Sequence, residues 1–246
     1  MRLATYQTGK TYILYDAHSV CDAGSTPQIT PALFDADHWR QTGRILGEAP
    51  GRGSSLFLDA GHEQWVLRPY RRGGLIARVS AARYLWTGLE RTRGFRELRL
   101  TAHLFAQGLP VPRPVATAVT RNGAGYTAAL ITVRIPGART LAELLEQGAA
   151  DNGLLERVGA TIRRFHDIGL DHVDLNARNL LVDDAGKVWL IDLDRCRLRN
   201  PGTWREANLV RLERSLLKFG EAKGMAAIRR GYQDGSTSSP PEAPRQ

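Results

Sequence analysis

The chain of 246 residues has two cysteines, no long apolar run and no lysine between Lys10 and Lys187. Cys21 and Cys196 are too few for a disulfide framework and do not form the C-x-x-C pair typical of metal sites. No apolar stretch approaches the ~20 residues of a membrane span, and the first residues lack the apolar core of a signal peptide. The sequence therefore predicts a protein that stays in the cytoplasm.

Positive charge is in excess, with a formal net charge of +9. Between Trp65 and Leu100 only Glu90 and Glu97 oppose a run of arginines, which comprises Arg68, Arg71, Arg72, Arg78, Arg83, Arg91, Arg93, Arg96 and Arg99. Because guanidinium groups form planar forks that match phosphate and carboxylate, this run favours an acidic partner: nucleic acid, anionic lipid or a phosphorylated substrate. A solvated basic face without a ligand is the alternative.

The most informative motif is His172-Val-Asp-Leu-Asn-Ala-Arg-Asn179, followed by an apolar run that ends at Asp192. An H-x-D-x-x-x-x-N loop with a later Asp is typical of kinase-like phosphotransferases. Phosphoryl transfer from ATP requires a carboxylate that orients or deprotonates the attacking hydroxyl, and hard oxygen ligands that hold Mg²⁺ on the phosphates. Asp174 is therefore the candidate base, and Asn179 and Asp192 are the candidate metal ligands.

Alternating and apolar patterns predict a strand-rich first half. The predicted strands are Tyr12–Tyr15, Leu56–Leu58, Gln64–Pro69, Val111–Val119 and Tyr126–Val133, and the predicted helices are Phe34–Trp39, Leu75–Leu89 and Arg93–Ala106, the last capped by Thr92. The glycine-rich segment Gly47–Ser55 would let a backbone approach phosphates closely, but a plain turn has the same composition.

The second half is predicted to be mainly helical. Thr140 and Glu143 form a capping-box pattern, Leu154–Ile168 has helical periodicity, and the motif is followed by short strands at Leu180–Val182 and Val188–Ile191. We therefore expect an α+β, two-lobed protein: residues 1–135 form a strand-rich lobe with a glycine-rich loop and basic helices, 136–233 a helical lobe with the catalytic loop, and 234–246 a disordered tail. An ATP-sized cleft between the lobes is expected.

Several blocks of this chain resemble the Kdo (3-deoxy-D-manno-octulosonic acid) kinase family, within the protein-kinase-like superfamily. The matching blocks are Gly51-Arg-Gly-Ser54, Leu67-Arg-Pro-Tyr-Arg-Arg-Gly-Gly-Leu75, Arg83-Tyr84, Gly108-Leu-Pro-Val-Pro-Arg-Pro114, His172-Val-Asp-Leu-Asn-Ala177, Ile191-Asp-Leu-Asp-Arg195 and Asn208-Leu-Val-Arg-Leu-Glu-Arg-Ser215. Together they extend over most of the chain, so they are more specific than the catalytic loop alone.

The resemblance implies a protein-kinase-like fold with an N-terminal antiparallel sheet lobe, and transfer of the ATP γ-phosphate to the 4-hydroxyl of Kdo on a lipid A precursor. Asp174 would be the base, Asn179 and Asp192 would hold Mg²⁺, and Gly51, Gly53 and Ser54 would lie over the phosphates. The implied partners are the Kdo-lipid A precursor and the anionic inner-membrane surface, where the enzyme would be peripheral on the cytoplasmic face. No nucleic acid and no protein partner are expected.

This chain departs from the general kinase pattern in two ways. The strand lysine is absent, and Arg68 is its expected substitute, paired with Glu97, which falls where the kinase helix supplies a carboxylate. Asp192-Leu-Asp194 replaces Asp-Phe-Gly, and no Ala-Pro-Glu follows it, which disfavours a protein substrate.

Two alternatives stay open. A kinase of another sugar or small molecule would keep the same loop, although a cationic acceptor such as an aminoglycoside would require an acidic pocket where this chain has arginines. A nonenzymatic anion-binding protein would use the charge, but it would leave Asp174, Asn179 and Asp192 unexplained.

Overall fold

The computed structural model describes residues 1–20, 29–49, 55–70, 84–221 and 223–235. Cys21, the loop residues Gly51, Gly53 and Ser54, and residues 71–83 and 236–246 lie outside this part. The chain forms two compact units. The sheet unit comprises Met1–Gly108 and Pro112–Arg134, and the helical unit comprises Leu109–Val111 and Ile135–Gln246.

An antiparallel sheet dominates the sheet unit, in the order β1-β2-β7-β8-β5-β4-β3, with β6 paired to β8. Its strands are β1 Leu3–Thr8, β2 Thr11–Asp16, β3 Ile45–Ala49, β4 Ser55–Asp59, β5 Gln64–Pro69, β6 Tyr84–Leu85, β7 Pro114–Asn122 and β8 Gly125–Val133. All five predicted strands of this half are present, although the one predicted from Val111 begins at Pro114 as β7. β1 and β3 were not predicted, and Gly47 lies within β3 rather than in a turn.

The helices of the sheet unit are α1 Ala17–Val20, α2 Ala36–Gln41 and α3 Arg93–Ala106. Thr92 precedes α3 as predicted, but its hydroxyl donates to the Leu89 carbonyl (2.7 Å) and does not cap the helix. The predicted helix Leu75–Leu89 is wrong over its described part. β6 pairs there with Tyr126 and Gly125, and Gly88 has a φ of 112°, which a helix does not accommodate.

Two buried clusters lie on either side of the sheet, because successive residues of a strand point to opposite faces. One contains Ile13, Trp39 and Trp65, and the other contains Leu14 and Val119 with Phe95 and Leu98 of α3. A Cβ at Gly94 would lie 2.3 Å from Thr117 Oγ1, so glycine lets α3 approach β7 closely. This close packing brings Glu97 of α3 beside β5.

The helical unit combines helices with short strands. Its elements are β9 Arg139–Thr140, α4 Leu141–Glu146, α5 Asn152–Asp167, β10 Leu170–Asp171, β11 Leu180–Val182, β12 Val188–Leu190, β13 Arg197–Leu198, α6 Trp204–Leu217 and α7 Gly224–Asp234. The predicted capping box of Thr140 and Glu143 is present, and β11 pairs with β12 as predicted. Asp234, the predicted start of the tail, is the last residue of α7.

Candidate active site

The loop that contains Asp174 is anchored at its start by His172. The His172 backbone N–H donates to Asn208 Oδ1 of α6 (2.9 Å), and its ring Nε2 lies 3.1 Å from the Ile191 carbonyl oxygen. Because a carbonyl only accepts, Nε2 carries the proton, and burial lowers the pKa of His172 so that the ring is neutral. His172 thus ties the loop to the chain immediately before Asp192.

Main-chain contacts hold Asp174. Its carbonyl oxygen accepts hydrogen bonds from the side-chain amides of Asn176 and Asn179, both at 2.9 Å. The residue is exposed, and its carboxylate accepts no hydrogen bond from the described residues. The loop is therefore fixed while the carboxylate stays available to a substrate hydroxyl.

Asn179 and Asp192 are joined through the backbone. The Ile191 N–H, one residue before Asp192, donates to the Asn179 carbonyl (3.0 Å). Asn179 commits its side-chain Nδ2 to Asp174, which leaves Oδ1 as its remaining side-chain ligand atom. Asp192 has a φ of 60°, a left-handed conformation uncommon for a residue with a side chain. Such outliers cluster at functional sites.

Asn179 and Asp192 fit a magnesium site in which the phosphates of the substrate supply further ligands. Mg²⁺ is usually held by one or two carboxylates together with phosphate oxygens and water, rather than by a cage of protein ligands. Within the described ranges, no group of three His, Cys, Asp or Glu side chains could hold a metal. The Asn179 amide oxygen and the Asp192 carboxylate therefore match a site that phosphate oxygens and water complete, rather than a cage of protein ligands.

Helix α6 supports the loop at two positions, which are the two ends of the matched block Asn208–Ser215 but were given no role of their own in the sequence analysis. Asn208 accepts from the His172 N–H and donates to the buried Asp171 carboxylate (3.0 Å), while Ser215 Oγ accepts from the Ala177 N–H (3.1 Å). Asn208 and Ser215 are seven residues apart and both are buried on an otherwise apolar helix face. Two polar residues seven positions apart on an apolar helix face were the sequence signal from which buried hydrogen bonds could have been predicted.

A second cluster in the sheet unit is centred on Glu97, which is 4% exposed. Arg68 of β5 forms an ion pair with Glu97 Oε1, and the Tyr70 hydroxyl donates to Oε2. Burial, and then the charge of Glu97, raise the pKa of Tyr70 well above its ordinary value, so the phenol keeps its proton. The expected contact between Arg68 and Glu97 is present, whereas the role of Tyr70, which lies in the matched block Leu67–Leu75, was not predicted.

Other members of the arginine run also interact within the unit. Arg99 makes two hydrogen bonds to Glu90 (2.7 and 2.8 Å), and Arg93 lies over the rings of Tyr84 (4.6 Å) and Tyr70 (5.3 Å). Arg71, Arg72, Arg78 and Arg83 lie outside the described residues, as do Gly51, Gly53 and Ser54. Some arginines of the basic run therefore contact side chains of the protein itself.

The antiparallel sheet, the helical unit and the H-x-D-x-x-x-x-N loop define the class: a phosphotransferase of the protein-kinase-like fold. The solved structure of WaaP in complex with acyl carrier protein superposes with a TM-score of 0.53, covering 84% of this chain and 87% of that chain at 16% identity. Because that protein was solved with a protein partner, it conflicts with the expectation of no protein partner, which is not carried forward. Within the described residues, every helix is too short or too polar to cross a bilayer.

The sequence model of the lipopolysaccharide kinase (Kdo/WaaP) family matches residues 36–232, and the chain belongs to this family. It is 48% identical over 220 residues to a 3-deoxy-D-manno-octulosonic acid kinase of Xanthomonas axonopodis pv. citri, covering 88% of this chain and 85% of that protein. A Vibrio parahaemolyticus protein with the same name is 41% identical over 186 residues, covering 76% of this chain and 78% of its own length.

Proposed function

We propose that this chain is an ATP-dependent kinase that phosphorylates the 4-hydroxyl of Kdo attached to a lipid A precursor, in lipopolysaccharide inner-core synthesis. Its relatives are named as kinases of this sugar acid. The observation that carries the proposal is the anchored loop, in which the Asp174 carboxylate is exposed beside Asn179.

Asp174 acts as the base in this proposal. Its carboxylate orients the sugar hydroxyl and accepts its proton as the bond from oxygen to phosphorus forms, while the bond between the γ-phosphorus and the leaving oxygen of ADP breaks. The two amide hydrogen bonds to its carbonyl fix the backbone from which the carboxylate extends, so little backbone reorganisation is needed on the reaction path.

In the same proposal, Asn179 Oδ1 and the Asp192 carboxylate would hold Mg²⁺. When bound, Mg²⁺ neutralises charge on the phosphate oxygens. The hydrogen bond between the Ile191 N–H and the Asn179 carbonyl keeps these two ligands together.

Arg68 takes the place of the kinase lysine on the ATP phosphates. Glu97 forms an ion pair with its guanidinium, and a planar guanidinium fork suits phosphate oxygens. Gly51, Gly53 and Ser54 are the expected loop over the same phosphates, on the strength of the matched block in the sequence.

The acceptor is lipid-linked, which is why we propose a peripheral position on the cytoplasmic face of the inner membrane. The sheet unit carries a surface suited to anionic lipid. Leu85 is 68% exposed, and next to it Trp86 packs under the Arg121 guanidinium (5.1 Å). Indole and arginine side chains are both favoured at a membrane interface.

The direct test is incubation of the purified protein with ATP, Mg²⁺ and a Kdo-bearing lipid A precursor, with the product measured by mass spectrometry and the phosphate located by NMR. One phosphate on the 4-oxygen of Kdo is expected, and omission of Mg²⁺ should abolish it. An Asp192→Ala variant should bind Mg²⁺·ATP more weakly. ATP binding without a phosphorylated Kdo would contradict the acceptor assignment and direct the search to other sugars.

A further inference from the structure

A charged cluster beyond the catalytic loop lies on β13, which pairs with β10 and places Arg197 opposite Asp171. The next residue but one, Arg199, has a fixed backbone. Its N–H donates to the Gly169 carbonyl (2.8 Å), and a Cβ at Gly169 would lie 2.4 Å from the Arg199 carbonyl oxygen. With a φ of 85° as well, position 169 requires glycine, and the chain at Arg199 is held closely against it.

Asp171 is the buried anion of this cluster, at 4% exposure. Its Oδ2 accepts from Arg199 (3.0 Å) and lies 3.7 Å from Arg197 Nε, while its Oδ1 accepts from Asn208 (3.0 Å). One carboxylate thus faces two guanidinium groups, which leaves one positive charge in excess. A carboxylate removed from water in this way holds the arginines in place.

Both arginines keep much of their surface available to a ligand. The side chain of Arg197 is 59% exposed and that of Arg199 is 43% exposed. Of the five N–H donors of a guanidinium, Arg199 commits one to Asp171, and its others make no hydrogen bond within the part of the chain that the structure describes. These donors can therefore bind a second anion.

Arg199 also lines an open depression of about 640 Å³, together with Ile168, Leu198 and Asn200. Leu198 is 44% exposed, so the depression combines an apolar side chain with cationic and amide groups. The adjacent acid, Asp167, is engaged by Arg163 at 2.7 Å. The combination suits an anionic group carried on a molecule that also has apolar or sugar surface.

The cluster is connected to the catalytic loop by hydrogen bonds. Asn208 contacts Asp171 with its amide nitrogen and the His172 N–H with its oxygen, and His172 begins the loop that holds Asp174. An anion bound by Arg199 would therefore be joined to the loop through Asp171 and Asn208. Such a connection would help to place the acceptor relative to the base.

We propose that Arg197 and Arg199, anchored by the buried Asp171, form an anion subsite for the acceptor that takes its carboxylate or one of its phosphates. The inference rests on the proposed function, since it assigns this subsite to the acceptor of the same reaction. Arg199 is the specificity-determining residue, because it combines the fixed backbone with the unused donors.

Steady-state kinetics of Arg199→Gln test the proposal, with Arg211→Gln as the control because Arg211 is exposed on α6 and makes no hydrogen bond within the described ranges. We expect the acceptor KM of Arg199→Gln to rise about 10-fold, while the KM for ATP stays within about two-fold. Arg199→Lys should recover part of the loss, and Arg211→Gln should behave as the parent. A fall in kcat and Tm with an unchanged acceptor KM would overturn the proposal, because the Arg199 contact would then be structural only.

Two modified acceptors distinguish the sources of the anion. One carries the Kdo carboxylate as a methyl ester, and the other lacks the lipid A phosphates. The modification that abolishes the difference between the parent and Arg199→Gln identifies the group that Arg199 binds. An undiminished difference with both acceptors would exclude an anionic ligand at Arg199.

Direct binding keeps this test separate from the proposed function. If the parent phosphorylates no Kdo acceptor, free Kdo and inorganic phosphate are titrated into the protein without ATP and followed by NMR. Binding that Arg199→Gln loses and Arg211→Gln retains would support the subsite even though the kinase assignment had failed. Equal binding by both variants, or no binding by the parent, would reject it.

Discussion

The two candidate sites are stabilised by different kinds of contact, one by side chains and the other by the main chain. In the sheet unit, Glu97 is buried and its two carboxylate oxygens contact the side chains of Arg68 and Tyr70. In the helical unit, the Asp174 loop is fixed through its main chain, and the carboxylate is exposed. The first site is a network of charged and polar side chains, and the second is a rigid backbone that presents one side chain.

This difference determines what a substitution removes. In the Glu97 cluster each side chain is also the partner of another, so its loss removes a hydrogen bond from another member of the cluster and affects folding as well as binding. In the Asp174 loop the carboxylate supports no other group, so its loss should affect chemistry alone. Stability and activity should therefore change together in one unit and separately in the other.

The largest expected effect is that of Asp174→Asn. Removing the base should lower kcat by about 10²–10⁴-fold, a typical contribution of general-base catalysis, with the Tm and ATP binding unchanged. Asp184→Asn is a matched control, because Asp184 is another exposed aspartate of the helical unit. Stopped assays, thermal unfolding and ATP titration would be measured on all three proteins. Turnover by Asp174→Asn at the parent rate would refute the base assignment, and a lowered Tm would remove the distinction between the two sites.

Glu97→Gln tests the opposite behaviour in the sheet unit. The amide cannot neutralise Arg68, and its NH₂ group cannot accept a hydrogen bond, so we expect a loss of about 1–3 kcal/mol in unfolding free energy. The KM for ATP should rise about 10-fold as Arg68 loses its position. Urea unfolding and initial rates would measure the two effects. A destabilised variant with an unchanged KM for ATP would separate Arg68 from the nucleotide.

Local patterns were sufficient for several elements and for the catalytic loop. The alternation in Tyr126–Val133, the Thr140 capping box and the spacing from His172 to Asn179 each lie within a short stretch, and the structure contains β8, the capped α4 and the anchored loop. Such features depend on propensity and hydrogen bonds between near neighbours, which a sequence displays directly.

Long-range pairing explains what the sequence analysis missed. The apolar spacing predicts that Tyr84–Leu85 is part of a helix, but its backbone pairs with Tyr126 and Gly125, about 40 residues later. Tyr70 and Asn208 acquire their roles from Glu97 and His172, which lie 27 and 36 residues away. No periodicity encodes such contacts, because they arise only when elements pack together.

Tyr70→Phe sharpens the comparison with a smaller change. It removes the hydroxyl that donates to the buried Glu97 Oε2, so a loss of about 1–2 kcal/mol in unfolding free energy is expected, with a smaller rise in the KM for ATP than in Glu97→Gln. Tyr12→Phe is the control, since Tyr12 is a partly buried tyrosine of the same unit whose hydroxyl makes no hydrogen bond within the described ranges. Equal stability of the two variants would show that Tyr70 does not support Glu97.

The smallest effect concerns pH and the helical unit. Burial, and then the positive charge of Arg205, lower the pKa of His166 to about 4, while a hydrogen bond with Asn208 and the charges of Asp167 and Asp171 act in the other direction. The folded protein therefore keeps His166 neutral where the unfolded chain, with a pKa near 6.5, takes up a proton. Stability from this group is complete above about pH 6.5 and is lost as the pH falls toward 4.

Between pH 7 and pH 5.5 this loss should be about 1 kcal/mol. His166→Gln should lack it, so the unfolding free energies of the parent and the variant should converge by that amount on acidification. Tyr70 keeps its proton throughout this range. Parallel pH profiles for the two proteins would contradict a neutral His166. Convergence would show that acid weakens the helical unit through a buried side chain that takes no part in the proposed chemistry.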